Sequence, residues 1–137
     1  MKKVYLDTNI LIDILLDRDL EHISINKITP FLKQSQVYMS TLSVHITYYI
    51  LKIKPNTSMH KKSMALINRI NLVPLSQEII NQSLNNFSID FEDTLQYYSA
   101  LDQNCDYILT RDKKNFKKIK ELIPSKIEII DTLNTIL

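Results

Sequence analysis

Not one glycine occurs among the 137 residues. This excludes the glycine-rich dinucleotide fingerprint and the P-loop, because both need glycine where backbone approaches a phosphate. Turns must be built from Asn, Asp and Pro, which tolerate turn geometry for reasons of their own. Cysteine is almost as scarce. Cys105 stands alone, which rules out an internal disulfide and suits a reducing cytoplasm. Its expected role is a small buried residue at a helix end. No apolar run is long enough to cross a bilayer. Met1-Lys2-Lys3 followed by apolar residues has the outline of a secretory leader, but Asp7 and Asp13 interrupt the run, so no leader is expected. The net charge is only +2, so the choice of partner must rest on local patches. Repeats, low-complexity tracts and linkers are missing too, so one domain over residues 1–137 is expected.

What is present reads as alternating strands and helices. Hydrophobic residues make up 45% of the chain, too many for disorder. Lys2 to Leu6 reads as a strand buried on both faces. Ile10, Leu11, Ile14 and Leu15 then fall on one helical face, with Thr8 or Asn9 able to cap. A helical region from Leu20 to Ser35 carries Pro30, which should kink or split it. Gln36 to Met39 is a second strand, and a helix runs from Leu42 to Lys52. Asn56 or Thr57 caps the next helix, and Leu72-Val73 is a short strand. Ser76 starts a helix ending near Asn86. Asp90 caps another, which leads into a fourth strand over Asp106 to Thr110. Lys113 to Lys118 reads as a short basic helix, Lys126 to Ile130 as a fifth strand, and Asp131 as the cap of a short terminal helix. This alternation predicts an α/β architecture, a mainly parallel sheet with helices on both faces.

Acids recur at the element boundaries. Asp7 follows the first strand and Asp112 follows the fourth. Asp90, Glu92 and Asp93 crowd the start of the helix between them. In an α/β sheet, strand ends and the starts of following helices lie on one side, so Asp7, Asp93 and Asp112 can be neighbours. Facing carboxylates call for a positive charge between them, and a divalent cation takes oxygen ligands. On the residues alone, Asp7 serves equally as an Asx turn or helix cap. Asp90 with Asp93 equally reads as a capping box.

The run Leu6-Asp7-Thr8-Asn9, the stretch Asp90-Phe-Glu-Asp-Thr-Leu-Gln-Tyr97 and the stretch Thr110-Arg-Asp-Lys-Lys-Asn-Phe116 together resemble a PIN domain. Within that family they are similar to the small single-domain bacterial branch that holds toxin ribonucleases of toxin–antitoxin pairs. The resemblance spans the chain in length and motif order. It implies a three-layer fold with about five strands and a Mg²⁺- or Mn²⁺-dependent ribonuclease. Asp7, Asp93 and Asp112 would be the metal ligands and catalytic acids. Asn9, Thr110 and Asp90 would support them, Asn9 by orienting Asp7. Thr110 would bond a carboxylate or the attacking water, and Asp90 would cap. Glu92 is either an outer ligand or a solvated first-turn charge. Asn115 stands where many relatives carry an acid. The family's usual glutamate on the helix after the second strand is missing here. Its place falls on Ile46, and no acid occurs between Glu21 and Glu78. His45 is the one nearby candidate replacement, otherwise packed or solvated.

Arg111, Lys113, Lys114, Lys117, Lys118 and Lys120 cluster beside Asp112 within ten residues. They read either as a solvated face or as phosphate contacts steering RNA to the acids. Tyr48, Tyr49, Tyr97 and Tyr98 are core residues or base-stacking platforms. Asp13 is expected to pair with a cation such as Arg18. The resemblance further implies single-stranded or structured RNA as substrate, an antitoxin partner and a homodimer. The lone cysteine and the lack of a long apolar run make a cytoplasmic location and no membrane the expectation. The rival reading is a PIN-fold nucleic-acid-binding or interaction module with weak or lost catalysis. A receiver domain would need paired acids after the first strand. A haloacid-dehalogenase-type phosphatase would need an aspartate where Asn9 stands.

Overall fold

The computed structural model describes residues 1–18 and 25–137, with backbone alone at 25 and 26. The described chain runs β1 (Lys2–Leu6), α1 (Thr8–Leu15), α2 (Ile25–Gln34), β2 (Ser35–Ser40), α3 (Thr41–Leu51), α4 (Ser58–Ile67), β3 (Asn71–Val73), α5 (Gln77–Asn85), α6 (Phe91–Asp102), β4 (Tyr107–Leu109), α7 (Lys113–Leu122) and β5 (Glu128–Ile130). Among the described residues, no helix is long and apolar enough to cross a membrane.

The sheet order is β3-β2-β1-β4-β5, and all neighbours pair in parallel. From β1 the chain fills one half of the sheet, then crosses back and fills the other. The reversal falls between β1 and β4. Such a switch point opens a crevice at the strands' carboxyl ends. Leu6 pairs with Leu109 there, so the residues that follow, Asp7 and Thr110, stand side by side. The Asp7 amide donates to the Leu109 carbonyl at 3.0 Å.

Alternation along β1 supplies both faces. Val4 and Leu6 enter a cluster with Ile10, Leu11, Phe31, Val37 and Met39. Tyr5 enters the opposite one, with Tyr97, Ile108, Phe116 and Ile129. Helix α6 is buried without a break from Thr94 to Ala100. A helix covered all round is held in place by its packing, and its first turn, with the acids, is held with it.

Several boundaries differ from the sequence reading. Pro30 lies inside α2, which continues past it to Gln34; only one backbone bond is lost there. The part of that expected helix over 20–24 lies outside the described residues. Helix α7 runs beyond Lys118 to Leu122, because Ile119 joins Phe116 on its buried face. At the far end, Thr132 and not Asp131 caps a 3₁₀ turn, Leu133–Thr135, by accepting from the Asn134 amide. Lacking glycine, the chain places Asp17, Lys52, Asn56 and Asn104 in the left-handed region. Lys52 ends α3 there at φ 50°.

Candidate metal centre

Asp7 occupies the N-cap position of α1, yet its side chain makes no capping bond. Both carboxylate oxygens are engaged elsewhere. Gln96 Nε2 donates to Oδ1 at 2.9 Å, and Thr110 Oγ1 donates to Oδ2 at 2.8 Å. Gln96 is fully buried, and its own oxygen is equally occupied. It accepts from the Thr8 amide at 3.1 Å, from Tyr5 Oη at 3.3 Å and from Thr8 Oγ1 at 3.4 Å. Ser43 of α3 bonds the Thr8 hydroxyl at 2.8 Å. Tyr5 Oη in turn accepts from the Ser40 amide. This network fixes the orientation of the Asp7 carboxylate.

Thr110 also reaches the next acid. Its Oγ1 accepts from the Asp112 amide at 2.8 Å while donating to Asp7. Of the two roles open to Thr110, the hydroxyl takes the one toward a carboxylate. Asp112 caps α7, accepting from the Asn115 amide at 3.3 Å and from Asn115 Nδ2 at 2.8 Å. Asn115 therefore adds a donor to Asp112 where an acid would have added charge.

The third group comes from α6. Asp90 caps it, with Oδ1 accepting from the Asp93 amide at 3.0 Å. Burial, and then the charges of Asp7, Asp90, Asp112 and Glu92, push the Asp93 carboxyl up to about 7. Asp7 is raised too, by burial first, with Asp112 adding to it against the bonds from Thr110 and Gln96. Glu92 is half-buried and raised by burial, then by Asp7 and Asp90, with Thr8 offsetting part. Among the described residues, the ion pairs of Lys and Arg go to Asp13 and Asp17, not to these acids.

That set of oxygen donors, negative and without a paired cation, suits a hard divalent ion. The groups share one electrostatic field without closing up. Among the described residues, no three His, Cys, Asp or Glu side chains already form a cluster able to enclose an ion. Mutual repulsion opposes closer approach.

Three expected participants lie elsewhere. Asn9 is exposed, one residue round α1 from buried Thr8, and the orienting role belongs to Gln96 and Thr110. His45 is exposed on α3; the residues of α3 that turn inward are Ser43 and Thr47, one helical turn apart. Arg111 contacts buried Asp13, with Nε 2.9 Å from Oδ2. Arg18 holds the other oxygen, as expected, at 2.9 Å. Tyr97 and Tyr98 are core residues, whereas Tyr49 is 78% exposed. Cys105 is buried, and its thiol is pushed up to about 12 by burial. Sequence reasoning missed Gln96. Its one signal is a polar residue three positions after Asp93, inside an otherwise covered helix.

The raised carboxyls predict a pH dependence in metal-free protein. Between the ordinary value of 3.8 and about 7 for Asp93, the folded state holds more protons than the unfolded one. Stability then falls as pH rises. The contribution is fully present below about pH 4 and is lost as pH rises through about 7; Asp7 and Glu92 act in the same direction. Urea melts in EDTA from pH 5 to pH 8 should show falling midpoints, and added Mg²⁺ should recover stability chiefly at the alkaline end. Midpoints that rise steadily with pH would contradict the electrostatic picture.

A family model described as "PIN domain" matches residues 3–114. Ribonuclease VapC1 of Aquifex aeolicus (strain VF5) is 26% identical over 143 aligned residues, covering 98% of both chains. Among solved structures, VapBC2 from Rickettsia felis, bound to a DNA fragment from their promoter, superposes with a TM-score of 0.67. It has 17% identity and covers 94% of this chain and 99% of that one. FitAB bound to an IR36 DNA fragment gives a TM-score of 0.64 at 16% identity, over 92% of this chain and 94% of that one. At such identities the two structures speak for the fold alone.

Proposed function

The chain belongs to the PIN-domain family, and from that premise we propose that it is a metal-dependent endoribonuclease, the toxin of a toxin–antitoxin pair. The observation that carries the reading is the meeting of acids at the switch point. Asp7 and Asp112 are linked through one Thr110 hydroxyl, with the acidic turn of α6 inside their field. The likeness to Ribonuclease VapC1 along nearly the whole chain supports the reaction class.

In this reading Asp7, Asp93 and Asp112 would hold Mg²⁺ or Mn²⁺, with Glu92 beside them. Such an ion, when bound, supplies Lewis acidity that favours deprotonation of an attacking water and offsets charge on the phosphate. Gln96 and Thr110 keep Asp7 turned away from capping α1 and toward the crevice. Thr110 ties the position of Asp112 to that of Asp7. Asp90 fixes the first turn of α6, so Asp93 is presented from a rigid helix. Single-stranded RNA suits a recessed set of acids, because its phosphates can be splayed toward them.

Lys113, Lys114 and Lys117 on α7 border Asp112 and would steer the phosphodiester past the acids. Changing all three to Gln should weaken RNA binding without unfolding the protein. It should also flatten the salt dependence by about 2 in log–log slope, at about 0.7 per lost contact on single strands. An unchanged slope would make the cluster a solvated face.

Leu84, Phe87 and Ile89 are exposed just ahead of the acidic turn. Apolar surface at that place suits a protein partner, an antitoxin or a second copy in a homodimer. A small acidic or DNA-binding protein encoded next to this one would support the pairing.

The test of the reaction is cleavage of a single-stranded RNA with Mg²⁺ or Mn²⁺, arrested by EDTA. One feature favours the rival reading, a binding module with weak catalysis: α3 carries no acid, with Ile46 at the expected glutamate position and Ser43 bonding Thr8. RNA binding without Mn²⁺ binding or cleavage would decide for that module.

A further inference from the structure

Asp13 is fully buried, on the last turn of α1, and it joins two arginines. Arg18 Nη1 donates to Oδ1 at 2.9 Å, and the Arg18 amide also donates to the Asp13 carbonyl at 3.0 Å. Both of those contacts are local, within five residues. The contact on Oδ2 is different in kind. Arg111 comes from the turn between β4 and α7, and its Nε lies 2.9 Å from Oδ2 as an ion contact without hydrogen-bond alignment. Of the two flanking residues, Thr110 bonds Asp7 and Asp112 bonds Thr110 through its amide.

The turn is thereby tied to α1 at both ends of the helix. Thr110 fastens it to Asp7 at the start, and Arg111 fastens it to Asp13 six positions on, about 9 Å along the axis. Only a long side chain spans that distance. Asp13 is buried whereas the Arg111 side chain is 36% exposed, so what the pair supplies is direction more than stability. We propose that Asp13 and Arg111 are positioning residues that clamp the β4–α7 turn on α1 and so set Asp112 against Asp7. The proposal rests on the metal-site reading above. It assigns Arg111 to holding the site together, where a place among the phosphate contacts was expected.

The two roles of Arg111 separate by experiment. Arg111→Met keeps the length of the stem, removes the partly exposed head and leaves the buried Asp13 carboxylate paired with Arg18. A far-ultraviolet circular dichroism spectrum matching wild type checks that the fold is kept. Three quantities are measured: hydrogen–deuterium exchange at residues 110–113 in EDTA, Mn²⁺ affinity without RNA, and the salt slope of RNA binding. A clamp predicts faster exchange at the Asp112 amide, Mn²⁺ binding weakened about tenfold or more, as for loss of a partner that orients a ligand, and an unchanged salt slope. Asp13→Asn should act in the same direction, and the double variant should be no worse than the more affected single one. A slope reduced by about 0.7 with Mn²⁺ affinity and exchange intact would make Arg111 a phosphate contact and overturn the clamp. Wild-type protein that binds no Mn²⁺ would overturn the nuclease reading instead. Exchange alone would then decide the clamp, and unchanged protection at Asp112 would end it.

Discussion

Asp93→Asn is expected to abolish metal-dependent RNA cleavage while leaving the fold intact. Asparagine keeps the shape and one acceptor oxygen but removes the charge that holds a hard cation. The loss should exceed about a hundredfold, the upper range for removing a partner that only orients a ligand. A second effect has the opposite sign. The Asp93 carboxyl is held at about 7 by burial and four neighbouring acids, so its ionisation weakens the metal-free fold. The asparagine protein should therefore melt higher than wild type in EDTA at pH 8, and the two should converge near pH 4. Cleavage rates in Mg²⁺ and melting curves in EDTA test both halves. Full cleavage by the variant would sink the assignment of Asp93 to the metal.

Gln96→Leu should damage stability and chemistry together. Leucine fits the covered face of α6 but offers no polar atoms. The Thr8 amide, the Tyr5 hydroxyl and Asp7 Oδ1 each lose their bond to Gln96 inside the protein. A buried group left unpaired costs about 1–3 kcal/mol, more if charged. Rearrangement recovers part, so a net loss of about 2–4 kcal/mol is expected in urea denaturation. Asp7 then keeps only Thr110 to orient it, and Mn²⁺ affinity should fall about tenfold or more. Gln96→Glu separates shape from polarity. It preserves the volume but sets an acceptor against Asp7, so Mn²⁺ binding should suffer unless the new carboxyl is protonated. A Gln96→Leu protein as stable as wild type would show that the network is dispensable.

The parts of this arrangement that the sequence makes legible are those decided locally. Asp7 and Asp112 stand at strand ends because an apolar run stops in front of each. Asp90 caps α6 because an aspartate before a helical pattern can bond the amide three residues on. The strand alternation predicts the parallel sheet, and chain direction alone brings those ends to one edge. Gln96 is illegible for the opposite reason. Its partners lie 88 to 91 positions away in the chain, and nothing next to it announces them. The same holds for Arg111. A basic run predicts solvent or phosphate, and only the packing of α1 under the β4–α7 turn sets a buried carboxylate in reach. Asn9 shows the converse: a motif places it beside Asp7, and the helix turns it outward.

The absence of glycine reaches beyond phosphate loops. Each left-handed position at Asp17, Lys52, Asn56 and Asn104 carries strain that glycine would not. Lys52 bears it without the local side-chain bonds that help Asn and Asp. Against that strain stands the unfolded chain. Glycine surrenders more conformational freedom on folding than any other residue, so each of these turns starts from a narrower ensemble than a glycine there would. Strain at these four described positions is thus set against an entropy saving at the same positions, and introducing glycine at any of them would relieve the first while giving back part of the second.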